Sequence, residues 1–253
     1  MKTAIVIPAR YASSRFPGKP LVSVRGRPLI RQVWEQAKKS RRADQVVVAT
    51  DDDRIREAVS EFGGDVLMTQ VDFRTGTDRL AWVAERITAD AYINLQGDEF
   101  IQDAQILDDL IAHFTESQPL AMGTLKRPIV SPEEGENPNI VKVVTTREGD
   151  ALYFSRSLIP YRRDRDVTLG FGEVPFYKHL GIYIYRRDVL ATLARLPTGF
   201  LEDREKLEQL RALENGIRIR VWETTHESLR IDAPEDVRAA EQYLTNAEPK
   251  RSR

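Results

Sequence analysis

The chain has 253 residues, 41% of them apolar, and its 38 basic and 39 acidic side chains leave a formal charge of −1. This length suits one large domain or two small ones, the apolar fraction argues against a disordered chain, and the balanced charge argues against a nucleic-acid partner. There is no cysteine, no signal pattern and no apolar run near the roughly 20 residues of a membrane span, so we expect a cytoplasmic protein without disulfides or a membrane partner.

Three short apolar runs in the first hundred residues predict strands that are buried on both faces of a parallel sheet. They cover residues 4–7, 45–49 and 91–95. A helical apolar face that begins at Leu29 separates the first two runs, and a second helix starts with carboxylates at Asp52 and stops at Gly63. The order is therefore βαβαβ, which predicts an α/β fold with a doubly wound, mainly parallel or mixed sheet and helices on both faces.

The second half of the chain does not continue the regular alternation of strands and helices. Residues 126–139 carry three prolines and many charges, which predicts a surface excursion in place of a central strand or long helix. Strands are predicted at residues 142–144, 151–154, 179–183 and 217–222, one helix at 202–213, and a last helix from Pro234 to near Leu244. No linker divides the chain, so we expect a single domain over residues 1–245 and a flexible tail at 246–253.

Three cations lie in the loop that follows the first strand, at residues 8–20. Arg10, Arg15 and Lys19 have no acid near them in sequence, and open α/β sheets place ligands beyond the carboxyl ends of their strands. The loop could bind a polyphosphate, with backbone N–H groups and the Ser13 hydroxyl as further donors. It matches neither a Walker loop nor the dinucleotide glycine pattern, and a solvated basic loop is the alternative.

Two aspartates are candidate metal ligands. Asp98 follows a buried strand and the turn-permitting Gly97, at the sheet edge where the basic loop lies. Magnesium commonly takes one or two carboxylates and completes its shell with phosphate oxygens and water. Asp232, at a predicted strand-to-helix junction, is the candidate for the second carboxylate, although it could instead cap the last helix.

A third polar patch opens a predicted helix at residues 74–79. The backbone N–H groups near Arg74, Gly76 and Thr77 could meet a base or a ribose. The alternative is that this sequence forms only an ordinary capped start of a helix and binds no ligand.

Taken in order, eight stretches resemble the cytidylyltransferases that activate 3-deoxy-manno-octulosonate (Kdo), and the resemblance runs from residue 4 to about 240. The stretches are IPARYASSRFPGKP from Ile7, ATDD from Ala49, GTDR from Gly76, NLQGD from Asn94, LYFSRSLIP from Leu152, KHLGIY from Lys178, LEQLR from Leu207 and IDAPED from Ile231. Ordered motifs over most of the chain are far more specific than any single loop.

The resemblance implies a dimeric, Mg²⁺-dependent enzyme of nucleotidyltransferase-like fold that joins CTP to Kdo, giving CMP-Kdo and pyrophosphate for lipopolysaccharide synthesis. It also implies that residues about 126–185 serve dimerisation and sugar binding. The residues it assigns to CTP are Ala9, Arg10, Ser13, Arg15, Lys19, Arg74, Gly76, Thr77, Gln96 and Asp98, with Arg10, Arg15, Lys19 and Asp98 also catalytic. It assigns the metal to Asp98 and Asp232, and the sugar acid to Arg156, His179, Tyr183, Glu208 and Gln209.

The chemistry is consistent with these residue types. Attack of the sugar's anomeric hydroxyl on the α-phosphorus concentrates negative charge, so cations and alignment can suffice without a protein nucleophile. Arg156 suits a bidentate contact with the substrate carboxylate, and Glu208 with Gln209 can bind hydroxyls. Without the resemblance, Arg156 would be interpreted as a surface arginine, the Glu208-Gln209 pair as a polar helix face, and His179 as a hydrogen-bonded core histidine.

Two positions depart from the family pattern. The family usually has proline where this chain has Phe100, and glycine where this chain has Arg230. We expect Phe100 to affect local packing only, whereas Arg230 could contact phosphate, alter substrate choice or point to solvent. The mixed-charge run at residues 162–166 predicts a solvated loop near the sugar, from which Arg163 or Arg165 could contact substrate.

Two other functions stay open at this point. The same scaffold could activate the 8-amino-8-deoxy form of Kdo, since residues 13–16, 175–179 and 201–203 with 205–207 are similar to stretches in enzymes that use it. From a different class, the chain could be a nucleotide-binding regulator that has lost turnover, although the presence of both Asp98 and Asp232 argues against this.

Overall fold

The computed structural model describes residues 1–12, 16–70, 73, 75–117, 119–161, 163 and 176–247. Its first half alternates strands and helices as predicted. The strands are β1 (Thr3–Ala9), β2 (Ser23–Val24), β3 (Arg27–Pro28), β4 (Gln45–Thr50), β5 (Val66–Met68), β6 (Ala91–Leu95) and β7 (Glu99–Ile101). The helices are a 3₁₀ turn (Lys19–Leu21), α1 (Leu29–Ala37), α2 (Asp53–Glu61), α3 (Gly76–Ala84) and α4 (Gln105–Glu116).

The described residues of the second half form six strands and five helices. The strands are β8 (Met122–Pro128), β9 (Lys142–Thr145), β10 (Ala151–Ser155), β11 (Tyr177–Arg186), β12 (Ile219–Glu223) and β13 (Ser228–Arg230). The helices are α5 (Pro132–Glu136), α6 (Arg187–Leu193), α7 (Phe200–Glu205), α8 (Gln209–Glu214) and α9 (Pro234–Ala247). No helix in the described ranges is both long and apolar enough to cross a bilayer.

In the part of the chain that the structure describes, nine strands form one mixed sheet. Its order is β10-β9-β11-β6-β1-β4-β5, and β8 pairs with β11 and β12. The pairs that join β1 to β4 and β6, and β4 to β5, are parallel. Strand β11 runs antiparallel to β6 and thereby joins the two halves of the chain. Because β1 and β6 are parallel, their carboxyl ends at Ala9 and Leu95 lie at the same edge, as the sequence predicted.

Helices cover both faces of the sheet, in agreement with the predicted fold class. One core contains Leu29 and Val33 of α1 with side chains of α2 and α4. The opposite core contains Leu80 of α3 with Leu190 of α6 and Leu210 of α8. The nearly continuous apolar runs of β1, β4 and β6 follow from this arrangement, since both faces of these strands are buried.

Several element boundaries differ from the sequence predictions. The predicted excursion at 126–139 contributes its first residues to β8, which lies between two strands; Pro128 is tolerated because the pairing with β12 ends earlier, at Lys126. The predicted helix at 202–213 is two helices, because Lys206 adopts a left-handed conformation (φ 53°) between them. The last helix continues to Ala247, past the predicted end near Leu244 and into the predicted tail.

Candidate active site

The pairing of β7 with β13 brings two candidate metal ligands together. These strands form a separate antiparallel pair in which Glu99 lies opposite Arg230. Asp98 immediately precedes β7 and its carbonyl accepts a hydrogen bond from the Ile231 N–H, so the chain that leaves β13 passes beside it. Asp232 is the next residue. Residues far apart in sequence therefore meet at the sheet edge because of one short strand pair.

One lysine bridges the two carboxylates. The Lys19 Nζ lies 2.5 Å from Asp98 Oδ2 and 3.4 Å from Asp232 Oδ1, and its side chain is only 11% exposed. Gly18, in a left-handed conformation (φ 73°), directly precedes the 3₁₀ turn that carries Lys19. Asp236, in the first turn of α9, accepts hydrogen bonds from the N–H groups of Asp232 and Ala233, so a side chain of the helix itself holds the chain just before α9. The role of Asp232 as a metal ligand stays a prediction.

The carboxylate pair suits a hard divalent cation. Asp98 Oδ1 is buried and has no hydrogen-bond partner in the described part of the chain, although burying a carboxylate oxygen unpaired is costly. A cation would satisfy it. Among the described residues no cluster of three or more His, Asp or Glu side chains is arranged to hold a metal. Two carboxylates with phosphate oxygens and water form a typical magnesium set, so the residues present fit the ion.

Arg230 lies against the same two carboxylates. Its Nε is 3.3 Å from Asp232 Oδ1 and 3.7 Å from Asp98 Oδ2, and 49% of its side chain is exposed. Burial acts to lower the pKa of Arg230, but Asp98 and Asp232 outweigh burial, so the pKa is raised and the guanidinium stays charged. Of the interpretations that the sequence allowed, the structure excludes an arginine that only points to solvent.

A third carboxyl group, Glu99, is buried next to the pair. Burial raises its pKa, and its Oε1 accepts a short hydrogen bond from the Ser228 hydroxyl. A Cβ at Gly181 would lie 3.3 Å from Glu99 Oε2, so the glycine leaves room for this side chain. Sequence reasoning missed Glu99 as a site residue, although its place directly after Asp98 in the same turn was a usable signal.

The predicted nucleotide side of the site lies at the ends of β1 and β6. Ala9 is buried and Arg10 is exposed at the end of β1. The Gly97 N–H donates to the Pro8 carbonyl over 3.2 Å, and a Cβ at Gly97 would lie only 3.1 Å from that oxygen, so the close approach requires glycine. Gln96 donates to Asn94 Oδ1 over 3.1 Å.

The start of α3 is linked to the predicted sugar site. Glu208 accepts hydrogen bonds from the Thr77 N–H at 3.2 Å and the Thr77 hydroxyl at 2.8 Å, and from the Gly76 N–H at 3.4 Å. A Cβ at Gly76 would lie 2.9 Å from Gln96 Nε2. The helix start that was predicted to meet a base or ribose thus lies between Gln96 and the Glu208 carboxylate.

His179 is held as a neutral imidazole on the predicted sugar side. Its Nε2 lies 2.9 Å from the Thr124 hydroxyl, and its ring packs 5.0 Å from Phe154 and 5.1 Å from Tyr183. Burial, together with the positive charge of Arg230, lowers the pKa of His179 to about 3. Burial also raises the pKa of Tyr183 well above its ordinary value. Both side chains are uncharged near neutral pH, so they can contribute hydrogen bonds but no net charge.

Arg156 already has protein partners. Its Nε donates to the Glu205 carbonyl over 2.7 Å and its Nη1 to the Pro138 carbonyl over 3.0 Å. These two bonds leave some of its five donors, and its assignment to the substrate carboxylate stays a prediction. Gln209 is buried at the start of α8, directly after Glu208.

Several predicted contacts lie outside the described residues: Ser13, Arg15, Arg74 and Arg165. Arg163 is described and exposed.

Sequence reasoning also missed how two motif residues are used. Asp51 of the ATDD stretch binds Arg79 of the GTDR stretch, with Arg79 Nη2 2.9 Å from Asp51 Oδ2. No spacing rule could have paired them.

Comparisons with known proteins identify the family of this chain. A family model described as cytidylyltransferase matches residues 4–219. The 3-deoxy-manno-octulosonate cytidylyltransferase of Geobacter sulfurreducens is 51% identical over 94% of this chain and 97% of its own length, and that of Syntrophotalea carbinolica is 49% identical over 96% and 99%.

Solved structures extend the comparison. A CMP:2-keto-3-deoxy-manno-octonic acid synthetase complexed with CTP has a TM-score of 0.89 at 42% identity, covering 97% of this chain and 99% of that one. An inositol-1-phosphate CTP transferase from T. maritima shares the fold alone, with a TM-score of 0.67 at 11% identity. The chain therefore belongs to the 3-deoxy-manno-octulosonate cytidylyltransferase family.

Proposed function

We propose that this protein transfers the cytidylyl group of CTP to Kdo. The anomeric oxygen of the sugar forms a bond to the α-phosphorus, the bond from the α-phosphorus to the oxygen shared with the β-phosphate breaks, and the anomeric hydroxyl loses its proton as pyrophosphate leaves. The observation that carries the proposal is the pair of carboxylates, Asp98 and Asp232, which share Lys19 at the carboxyl edge of β1 and β6.

The basic side chains at this edge bind and orient the triphosphate. Lys19 is fixed by its 3₁₀ turn and by Asp98, so its ammonium group is in place before the nucleotide binds. Arg10 is exposed at the end of β1 and free to contact phosphate oxygens. Preorganised cations stabilise the charge that develops on phosphate in the transition state, and no protein nucleophile is required.

Asp98 and Asp232 would hold Mg²⁺ together with the phosphates. The ion would polarise the α-phosphoryl group and neutralise negative charge on the leaving pyrophosphate. The unpaired, buried Asp98 Oδ1 is the oxygen best suited to receive it.

The sugar acid is assigned to the region around His179, Tyr183, Glu208 and Gln209. His179 is half-buried, Tyr183 is buried and both are uncharged, so an unmatched substrate would leave polar atoms of this region unpaired. The hydrogen bond between Glu208 and Thr77 links this region to the nucleotide side. Sugar and nucleotide would thus be placed next to each other by one side chain.

A substrate panel tests the proposal. CTP, UTP, ATP and GTP are each combined with Kdo, its 8-amino analogue and sialic acid in the presence of Mg²⁺, and pyrophosphate release is followed. CTP with Kdo is expected to give the highest kcat/KM. Sialic acid is expected to be poor by about a hundredfold, since a site built for particular hydroxyls penalises a misfit.

The panel also separates the alternatives. A higher kcat/KM for the 8-amino sugar would change the sugar assignment while leaving the cytidylyltransferase reaction in place. Comparable values for sialic acid and Kdo would overturn the octulosonate assignment. Absence of pyrophosphate release with every pair would overturn the enzymatic proposal and favour a nucleotide-binding regulator.

We further propose that the protein is a homodimer in the cytoplasm. The resemblance supports the dimer, and exposed apolar side chains such as Leu152 on β10 and Phe200 on α7 are candidates for a contact surface. Light scattering after size-exclusion chromatography is expected to give twice the chain mass of 28.9 kDa.

A further inference from the structure

The two carboxylate oxygens of Asp98 have different surroundings among the described residues. Lys19 and Arg230 both approach Asp98 Oδ2, at 2.5 and 3.7 Å, whereas the buried Oδ1 has no partner among the described residues. Asp232 Oδ1 is likewise approached by both, at 3.4 and 3.3 Å. The two carboxylate charges are thus already offset by two cations before any metal ion binds.

The two cations differ in how firmly they are held. Lys19 has a side chain that is 11% exposed and one contact at 2.5 Å. Arg230 has a side chain that is 49% exposed and no contact to this pair shorter than 3.3 Å. A long, half-exposed side chain with loose contacts moves at little cost, and Arg230 is therefore the cation that an incoming ion displaces.

Arg230 also faces acidic groups besides this pair. Glu99 lies opposite it in the strand pair, and Glu208 interacts with it electrostatically from the sugar side. Because burial raises the pKa of Glu99 and so favours its uncharged form, Glu208 is the acidic group toward which the guanidinium can turn when it leaves Asp98 and Asp232.

We propose that Arg230 is a displaceable counter-ion that competes with the divalent cation for Asp98 and Asp232. The inference rests on the proposed metal site. Because like charges repel at these distances, Arg230 weakens binding of the bare ion. The negative phosphates of CTP offset this repulsion, so the ion binds well only together with the nucleotide. The arginine thereby acts as a positioning residue that couples metal binding to CTP binding.

Mn²⁺ titration of the nucleotide-free protein tests this, with the free ion measured by electron paramagnetic resonance. Arg230→Ala is expected to bind Mn²⁺ about tenfold more tightly than the unmodified protein, because one repelling charge near the ion is removed. Arg230→Lys is expected to stay near the unmodified value. Equal affinity in Arg230→Ala and the unmodified protein would overturn the inference.

Two controls separate this result from others. Arg218→Ala removes an exposed arginine just before β12, at the opposite edge of the sheet, and should leave Mn²⁺ affinity unchanged. If it tightens binding as much as Arg230→Ala does, net charge explains the effect and the inference fails. Asp98→Asn tests the metal site itself: undiminished Mn²⁺ binding in that variant would remove the site, whatever the ratio between the arginine variants. Circular dichroism confirms that each variant is folded.

Discussion

Two groups of buried charges in this protein are built in opposite ways. At the sheet edge, Lys19 and Arg230 both approach Asp98 Oδ2, whereas the buried Oδ1 has no hydrogen-bond partner among the described residues. Beneath α3, Arg211 binds Glu202 through two parallel bonds, from Nε at 2.8 Å and from Nη2 at 2.6 Å, and both carboxylate oxygens are used. We call the Glu202–Arg211 pair the closed group, because both carboxylate oxygens have partners within the protein. We call Asp98 with Asp232, Lys19 and Arg230 the open group, because one Asp98 oxygen has no such partner.

The difference separates a structural from a functional role. Arg211 is 2% exposed and also donates to Asp78 in the first turn of α3, so it joins α7, α8 and α3. Its pKa is raised, chiefly by the hydrogen bond with Glu202. An ion pair that is complete within the protein holds helices in place. A buried carboxylate with an unused oxygen is instead suited to a ligand, since the ligand supplies the missing partner.

The largest expected effect is at the open group. Asp98→Asn should lower kcat by about a thousandfold, because the amide keeps the shape but removes the charge that the metal and the phosphates require. Thermal unfolding should stay close to that of the unmodified protein, since the Asn oxygen can still accept from Lys19. Initial rates at saturating Mg²⁺ measure kcat, and differential scanning calorimetry measures the unfolding temperature.

The control is Asp188→Asn, which neutralises an exposed aspartate paired with Arg186 at the far edge of the sheet. Both quantities should be unchanged in that variant. Near-normal kcat in Asp98→Asn would remove Asp98 from the metal site.

The closed group should show the opposite pattern. Arg211→Met leaves Glu202 buried without its partner, and the free energy of unfolding should fall by about 3–5 kcal/mol in urea titrations. Arg186→Met breaks an exposed pair and should cost no more than about 1 kcal/mol. Equal losses in the two variants would show that the Arg211 contact is not the closed structural pair inferred here.

Much of the fold could be predicted because the parallel strands are buried on both faces. The runs of β1, β4 and β6 are mostly apolar, and Asp52 and Gly63 bound α2 as expected. The break at Lys206 could not be predicted, since neither glycine nor proline marks it. Strands β7 and β13 were missed as a pair because each has only three residues and gains its pairing from the other.

The site was partly predictable for a similar reason. Strand order places Lys19 and Asp98 at one edge, and the predicted strand-to-helix junction made Asp232 a candidate that the resemblance then supported. The bond between Thr77 and Glu208 joins residues 131 positions apart, and the contact of Thr124 with His179 spans 55. Such polar contacts depend on how helices and strands pack, which no local pattern encodes.

A smaller effect is expected at the cation that both carboxylates share. Lys19→Ala should raise the KM for CTP about tenfold more than the KM for Kdo, because a charge-assisted contact to phosphate is lost. Steady-state kinetics with each substrate varied in turn measure the two constants. Arg218→Ala serves as the charge-matched control and should leave both constants unchanged. A larger change in the KM for Kdo would mean that the basic loop is misassigned.

The smallest expected effect concerns His179, which belongs to neither group but lies near Arg230. Its pKa is about 3 in the folded protein, below the ordinary 6.5, because burial and Arg230 disfavour the charged ring. Below pH 6.5 the ring takes up a proton in the unfolded chain but stays neutral in the folded protein. The contribution of His179 to the free energy of unfolding is therefore fully present above pH 6.5 and is lost as the pH falls toward 3. One group contributes at most about 1.4 kcal/mol per pH unit.

Urea unfolding at pH 7.5 and pH 5.5 measures this contribution. His179→Gln keeps a side chain that can bond Thr124 but cannot take up the proton, so its loss of stability between the two pH values should be smaller by about 1 kcal/mol. Over the same range the unmodified protein should show no inflection in kcat/KM for Kdo from this ring, since it stays neutral. An identical loss of stability in both proteins would mean that His179 titrates alike when folded and unfolded, and the neutral, hydrogen-bonding role assigned to it would fail.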